Sequence, residues 1–201
     1  MAQDRHIGQV LQLARELGMI RSRDLKAHNI PHSYLQRLYE RGLLQRSGRG
    51  IYVLTEAEPG EKFALAEVCK RVPQGVVCLL SALRFHEIGT QSPFEVWMAI
   101  HPKAHRPRVD YPPLRIVRFS GRALEEGVEE HSTSDGPVRV YNIPKTVADC
   151  FRYRNKIGLD VALEALRSCW RKRAATMDEL WYYAAVDKVS TVMKPYLESL
   201  V

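Results

Sequence analysis

Ser33, Gln36 and Arg37 lie within five residues of one another, and their side chains carry the donors and acceptors that read the edges of nucleic-acid bases. A glutamine amide pairs bidentately with adenine and an arginine fork with guanine, each contact discriminating by roughly 1–3 kcal/mol. Around them Arg23, Tyr34, Arg41, Arg46 and Arg49 supply cations and a phenol suited to phosphate oxygens or to insertion into a minor groove. The chemistry this set offers is recognition of a duplex rather than bond breaking.

The surrounding residues predict elements that would hold the set in place. Ser22 is a candidate N-cap, Asp24 favours a helix start, and Leu25 with Ile30 gives that helix a buried side. The helix is expected to end at His28-Asn29, where Asn29 tolerates a left-handed turn, and Pro31 restarts the chain. In the next helix Leu35, Leu38, Tyr39 and Gly42 recur at core spacing, which leaves Ser33, Gln36, Arg37 and Glu40 on the opposite side. Leu43 to Arg46 and Ile51 to Leu54 are strands around Ser47-Gly48-Arg49-Gly50, whose glycines permit a tight hairpin with Arg46 and Arg49 at its tip. Upstream, Ile7, Val10, Leu11, Ala14 and Leu17 mark an amphipathic helix over Arg5 to Leu17, followed by Gly18 and a brief strand at Met19-Ile20. Helix, strand, helix, helix and basic hairpin in this order predict a winged helix-turn-helix over residues 1–54. A packing module with solvated arginines is the plainer reading, but order, turn chemistry and charge agree along one stretch.

Charge is distributed in the same sense. Residues 1–54 hold nine Lys/Arg against four Asp/Glu, whereas the remaining 147 hold 21 against 19, so most of the net +7 sits on the first segment. No apolar run is long enough to span a bilayer and MAQDRHIGQV lacks a secretory signal, so a soluble cytoplasmic protein is expected. Cys69, Cys78, Cys150 and Cys169 have apolar neighbours and no Cys-x-x-Cys spacing, which predicts reduced core residues.

Thr55 to Gly60 reads as a connector, and residues 61–201 as a second domain of α+β class. Its expected elements are a helix from Glu61 with Leu65, Val68, Cys69 and Val72 on one face, a buried strand over Gly75 to Leu80, and a helix capped by Ser81. Strands follow over Phe94 to Ile100 and Leu114 to Phe119, then a hairpin turning at Ser134-Asp135-Gly136. Beyond Pro144 the chain reads as a helical bundle, with a capping box at Thr176 and Glu179 and a last helix disturbed by Pro195.

Other residues with chemical potential are weaker. His101 and His105 have ligand spacing, but the prolines around them argue against a helix, and no metal or cofactor is expected. Lys103, Arg106 and Arg108, together with Lys145, Arg152, Arg154 and Lys156, form a candidate second basic surface; Lys145 and Asp149, at i and i+4, are also placed to pair. Phosphate-loop, nucleophile-elbow and His-Glu-x-x-His patterns are absent. Glu87, Asp149 and Glu164 leave open a nuclease whose first domain delivers the substrate, the alternative to a non-enzymatic regulator.

Arg49-Gly50-x-Tyr52, Ser81-Ala82-Leu83 and Lys145-Thr146 with Asp149 give the chain its resemblance to the AbiEi-type antitoxin family of type IV toxin-antitoxin systems. The resemblance implies a winged domain that binds inverted repeats upstream of its own operon and represses it. It also implies a C-terminal domain that counters a nucleotidyltransferase toxin without forming a stable complex. Palindromic sites would suit a two-fold pair of molecules, although no dimer seam is visible.

Overall fold

A computed structural model describes residues 2–48, 50–58 and 60–200. The chain is α+β. In order, its elements are α1 (Ala2–Leu17), α2 (Ser22–Ala27), α3 (Ser33–Glu40), β1 (Leu44–Gly48), β2 (Ile51–Leu54), α4 (Phe63–Arg71), β3 (Val76–Val77), α5 (Leu79–Phe85), β4 (Val96–Ile100), β5 (Leu114–Arg118), α6 (Arg122–Glu125), β6 (Val128–Thr133), β7 (Gly136–Tyr141), α7 (Ile143–Arg152), α8 (Arg154–Ile157), α9 (Leu159–Arg171), α10 (Met177–Val186) and α11 (Ser190–Glu198). Contacts gather these into two compact units. The first takes the chain up to Lys70 together with Ser132–Val138, and the second takes Arg71–His131 with the chain from Arg139 onward.

The first unit is built on an apolar core of Val10, Ala14, Ile20, Leu25, Ile30, Leu35, Leu38, Leu44, Tyr52 and Leu54. These positions come from every element between α1 and β2, so the three helices and the hairpin share one interior. Gly18 ends α1 at φ +66°, and a Cβ there would come within 2.5 Å of the Asp135 backbone, so both conformation and space require glycine. Ile20 then pairs with Tyr52 in an antiparallel bridge, adding a third short segment beside the β1–β2 hairpin. Asp135 Oδ1 also accepts from Gly60 N at 2.8 Å, and Lys70 Nζ meets Asp24 Oδ2 at 2.8 Å.

Local chemistry differs from the sequence reading at three points here. Ser22 is the first residue of α2 rather than its cap; Arg21 takes the cap position, and its N–H donates to Asp24 Oδ2 at 2.8 Å. The acidic residue therefore satisfies the helix start by reaching backward. Pro31 precedes α3 by two residues, in a turn where its carbonyl accepts from Tyr34 N. Tyr39 is 40% exposed instead of buried with Leu35 and Leu38, because its polar tip lets the ring stand at the surface.

In the second unit β3 pairs antiparallel with β4 and parallel with β7, while β4 and β5 run parallel from Val96↔Leu114 to Ile100↔Arg118. The sheet order is β5-β4-β3-β7-β6. All five residues of β4 are buried, as a strand covered on both faces requires. Helices α5, α9 and α10 pack against α7, and the core includes Trp97, Phe119, Tyr141, Val147, Phe151, Ala162, Leu166 and Leu180.

Only Val76–Val77 of the expected Gly75 to Leu80 strand forms a strand, since Cys78, though extended, is the N-cap of α5, which begins at Leu79. Ser81 therefore lies inside α5 and caps nothing. Its Oγ accepts from Trp97 N at 2.9 Å, tying the helix to β4. On α4 the buried residues are Ala66, Glu67, Val68 and Cys69, whereas Leu65 is half-buried. The capping box is present, with Thr176 Oγ1 accepting from Glu179 N and Glu179 Oε2 accepting from Thr176 N. Helix α11 continues through Pro195. Cys69, Cys78, Cys150 and Cys169 are buried free thiols.

Candidate nucleic-acid interface

Helix α3 is amphipathic over two turns. Leu35 and Leu38 are buried on one side, and this anchors the helix against α1 and β1. Ser33, Gln36 and Glu40 are exposed on the other, with Arg37 half-buried beside them. Position i and i+4 neighbours Gln36 and Glu40 bond directly, Gln36 Nε2 donating to Glu40 Oε1 at 2.8 Å.

The hairpin meets this surface through one residue. In the β1–β2 register Arg46 sits opposite Tyr52, with a bulge between Arg46 and Gly48 that bends the strand. Arg46 Nη2 donates to Gln36 Oε1 at 2.8 Å and its Nε donates to Tyr52 Oη at 3.3 Å. Its guanidinium lies 4.8 Å from the Tyr39 ring centroid and 5.5 Å from that of Tyr52, and the two rings meet edge to face at 6.3 Å. Arginine carries a planar, weakly hydrated cation that stacks while it donates, so one side chain joins hairpin and helix.

A second aromatic contact supports the front of α3. Tyr34 is half-buried, packed edge to face on His6 at 5.3 Å, with the His6 Nδ1 and Tyr34 Oη atoms 3.4 Å apart. Arg37 lies over the Tyr34 ring at 5.1 Å, which directs it along the helix surface. Arg41 is exposed at the C-cap of α3, and Arg23 is exposed on α2 with its Nε 4.0 Å from Asp24 Oδ1. Arg49, expected at the hairpin tip, lies outside the described residues. Sequence reasoning missed Tyr39, Tyr52 and His6 as members of this surface, whereas Glu40 is exposed on the face where the spacing puts it. The register that puts Tyr52 opposite Arg46 was the signal available for two of them.

The candidate second basic surface fares unevenly. Lys103, Arg106 and Arg108 are exposed on an irregular loop, whose start is held by Arg118 Nη1 donating to the carbonyls of His101, Pro102 and Ala104. Arg154 is half-buried and donates to Phe151 O, and exposed Lys156 lies over the Tyr153 ring. Lys145 does not belong to any surface. It is fully buried, 2.5 Å from Asp149 Oδ1 and 3.2 Å from Asp187 Oδ1, and it lies over the rings of Tyr141 and Phe119. The apolar side of α7 turns it inward, and Asp187, just past α10, supplies the second anion. Arg152, with a side chain 35% exposed, reaches Asp187 Oδ1 at 3.5 Å from the rim.

Burial pushes the Asp149 carboxyl well above its ordinary range, and nearby Asp187 adds to this while Lys145 opposes it. Burial pulls the Lys145 ammonium down, but Asp149 and Asp187 outweigh that and hold it above its ordinary value. The residue types resemble those of a metal nuclease. Yet Lys145 and Asp149 are 0% exposed and Asp187 is 2% exposed, so a nucleic-acid phosphate has no approach to them. Glu164 instead accepts from Gln91 Nε2, apart from Asp149. Among the described residues no group of three or more His, Cys, Asp or Glu is placed to hold a metal ion, and no helix is long and apolar enough to cross a membrane.

Residues 9–55, which include α3 and the β1–β2 hairpin, match the model of a family described as a transcriptional regulator, AbiEi antitoxin. A broader likeness extends over the fold. The crystal structure of the RV2827C protein from Mycobacterium tuberculosis aligns with a TM-score of 0.58 at 12% sequence identity, covering 90% of this chain and 71% of that one. No curated protein matches the chain.

Proposed function

We propose that this chain is a sequence-specific DNA-binding repressor whose first domain, residues 1–54, is a winged helix-turn-helix. In this reading α3 is the recognition helix, Ser33, Gln36 and Arg37 face base edges, and Arg23, Tyr34, Arg41 and Arg49 contact the backbone or minor groove, with Arg46 joined to Gln36. The observation that carries it is the 2.8 Å bond between Arg46 and Gln36, which joins the exposed face of α3 to the hairpin as one polar and cationic surface. The match of residues 9–55 to a transcriptional-regulator family supports the same assignment.

The antitoxin role follows the family description. The chain would repress its own operon at inverted repeats, bound as a two-fold pair in the cytoplasm, while residues 61–201 counter a nucleotidyltransferase toxin without a stable complex. Lys103, Arg106, Arg108, Arg152, Arg154 and Lys156 remain available to that domain as a second basic surface, with Lys145 withdrawn from it.

Gel shifts on the duplex upstream of its own gene test the DNA assignment. Affinity should fall steeply with salt, because phosphate contacts release counterions. Arg37→Ala should weaken specific binding by about 1–3 kcal/mol. Unchanged affinity and salt dependence in Arg37→Ala would remove that residue from the interface, and no shift at low salt would remove the DNA reading.

A further inference from the structure

The side chain of Gln36 is held at both ends, and the chemistry of its partners leaves one orientation of the amide. Arg46 has only donors and ionised Glu40 only acceptors, so the oxygen must face Arg46 Nη2 and the nitrogen must face Glu40 Oε1, each at 2.8 Å. An isolated surface glutamine would turn freely. Here the clamp is itself clamped, since Arg46 rests on the rings of Tyr39 and Tyr52 and donates to Tyr52 Oη, and Tyr52 is 7% exposed in the core.

Each end of the amide spends half of its capacity on these partners. One N–H and one oxygen lone pair remain, side by side on a planar group. Adenine presents one acceptor, N7, and one donor, the N6 amino group, in the major groove, whereas guanine presents two acceptors. A fixed amide therefore matches adenine and sets its oxygen against guanine O6.

We propose that Arg46 is a positioning residue that orients Gln36 to select an adenine, so that its contribution is to sequence preference rather than to phosphate affinity. This rests on the DNA-binding reading of α3 and revises the phosphate role that the sequence suggests for Arg46. Glu40 completes the clamp from one turn along the helix.

The test uses the full chain and a pool of duplexes with a randomised core. The unmodified protein should select sites in which replacing one A·T pair lowers affinity roughly 5- to 140-fold. Gln36→Ala should abolish that preference. Arg46→Ala and Arg46→Lys should both lose most of it, since neither keeps the stacked, planar fork, while the slope of log affinity against log salt stays the same in both, since Arg46 neutralises no phosphate. Retention of the adenine preference in either Arg46 variant would overturn the proposal. So would a loss of affinity uniform over all sequences with a salt slope smaller by about one, the mark of a phosphate contact. If the unmodified protein selects no duplex, the DNA-binding reading and the proposal fall together. Nitrogen-15 relaxation of the Gln36 side-chain amide separates the clamp from DNA binding: it should be rigid in the free protein and mobile in Arg46→Ala, and equal mobility in the two would show there is no clamp.

Discussion

Replacing Lys145 with Met removes the cation from a site where two carboxylates are buried and keeps nearly the same volume. Lys145 and Asp149 are 0% exposed, and the ammonium lies 2.5 Å from Asp149 and 3.2 Å from Asp187. Breaking a buried ion pair by deleting one partner costs about 3–5 kcal/mol, because the other charge stays desolvated. Arg152 remains 3.5 Å from Asp187 and offsets part of this, so the lower half of that range is expected. For a chain of this size each kcal/mol moves the melting temperature by about 2–4 °C, so the full range corresponds to about 6–20 °C. Calorimetry measures the loss directly. Lys145→Met/Asp149→Leu should recover most of it, because an apolar pair leaves only Asp187, which Arg152 still faces. The salt slope of DNA binding, measured below the transition, should not change in either variant. A loss below about 6 °C, or a double variant no more stable than the single one, would refute the description of this group as a paired buried network.

Ser81→Ala deprives buried Trp97 N–H of its acceptor and should cost about 1–3 kcal/mol in urea unfolding, although Ser81 touches no candidate interface residue. The Glu179 carboxyl, which accepts from the Thr176 N–H and hydroxyl, is held below its ordinary value of 4.5. The folded chain therefore binds fewer protons at Glu179 than the unfolded chain in that range. The stabilisation is present above pH 4.5 and lost as pH falls through the depressed value. Glu179→Gln should flatten this acid-side slope, as read by urea midpoints between about pH 3 and 6.

Much of the candidate interface is legible in the sequence, because its determinants are local. The spacing of Leu35 and Leu38 decides which side of α3 is buried, and Asn29 accepts the left-handed turn at φ 55° that precedes it, whereas Gly42, read at core spacing, lies exposed beyond the helix in a left-handed turn at φ 69°. Placing Tyr39 in the core failed because periodicity counts a tyrosine as apolar, whereas its hydroxyl lets the ring stay at the surface as a platform for Arg46. Residue type alone makes Ser22 and Ser81 cap candidates, but whether a serine caps or braces depends on where the helix starts and what strand lies beside it.

The linear chain by itself determined the α+β class, the order of helices and hairpin, the basic first segment and the inward or outward sense of most of α3. These follow from short-range sterics, capping and the burial of regularly spaced apolar groups. Tertiary structure alone decided the two charge arrangements that matter most. Arg46 reaches Gln36 across ten residues because the hairpin folds back on the helix, and Lys145 is drawn inside by Asp187, 42 residues away. A lysine and an aspartate at i and i+4 form the same pair on a surface or in a core; what surrounds them, which no local pattern encodes, sets whether that pair is a solvated contact or a buried network.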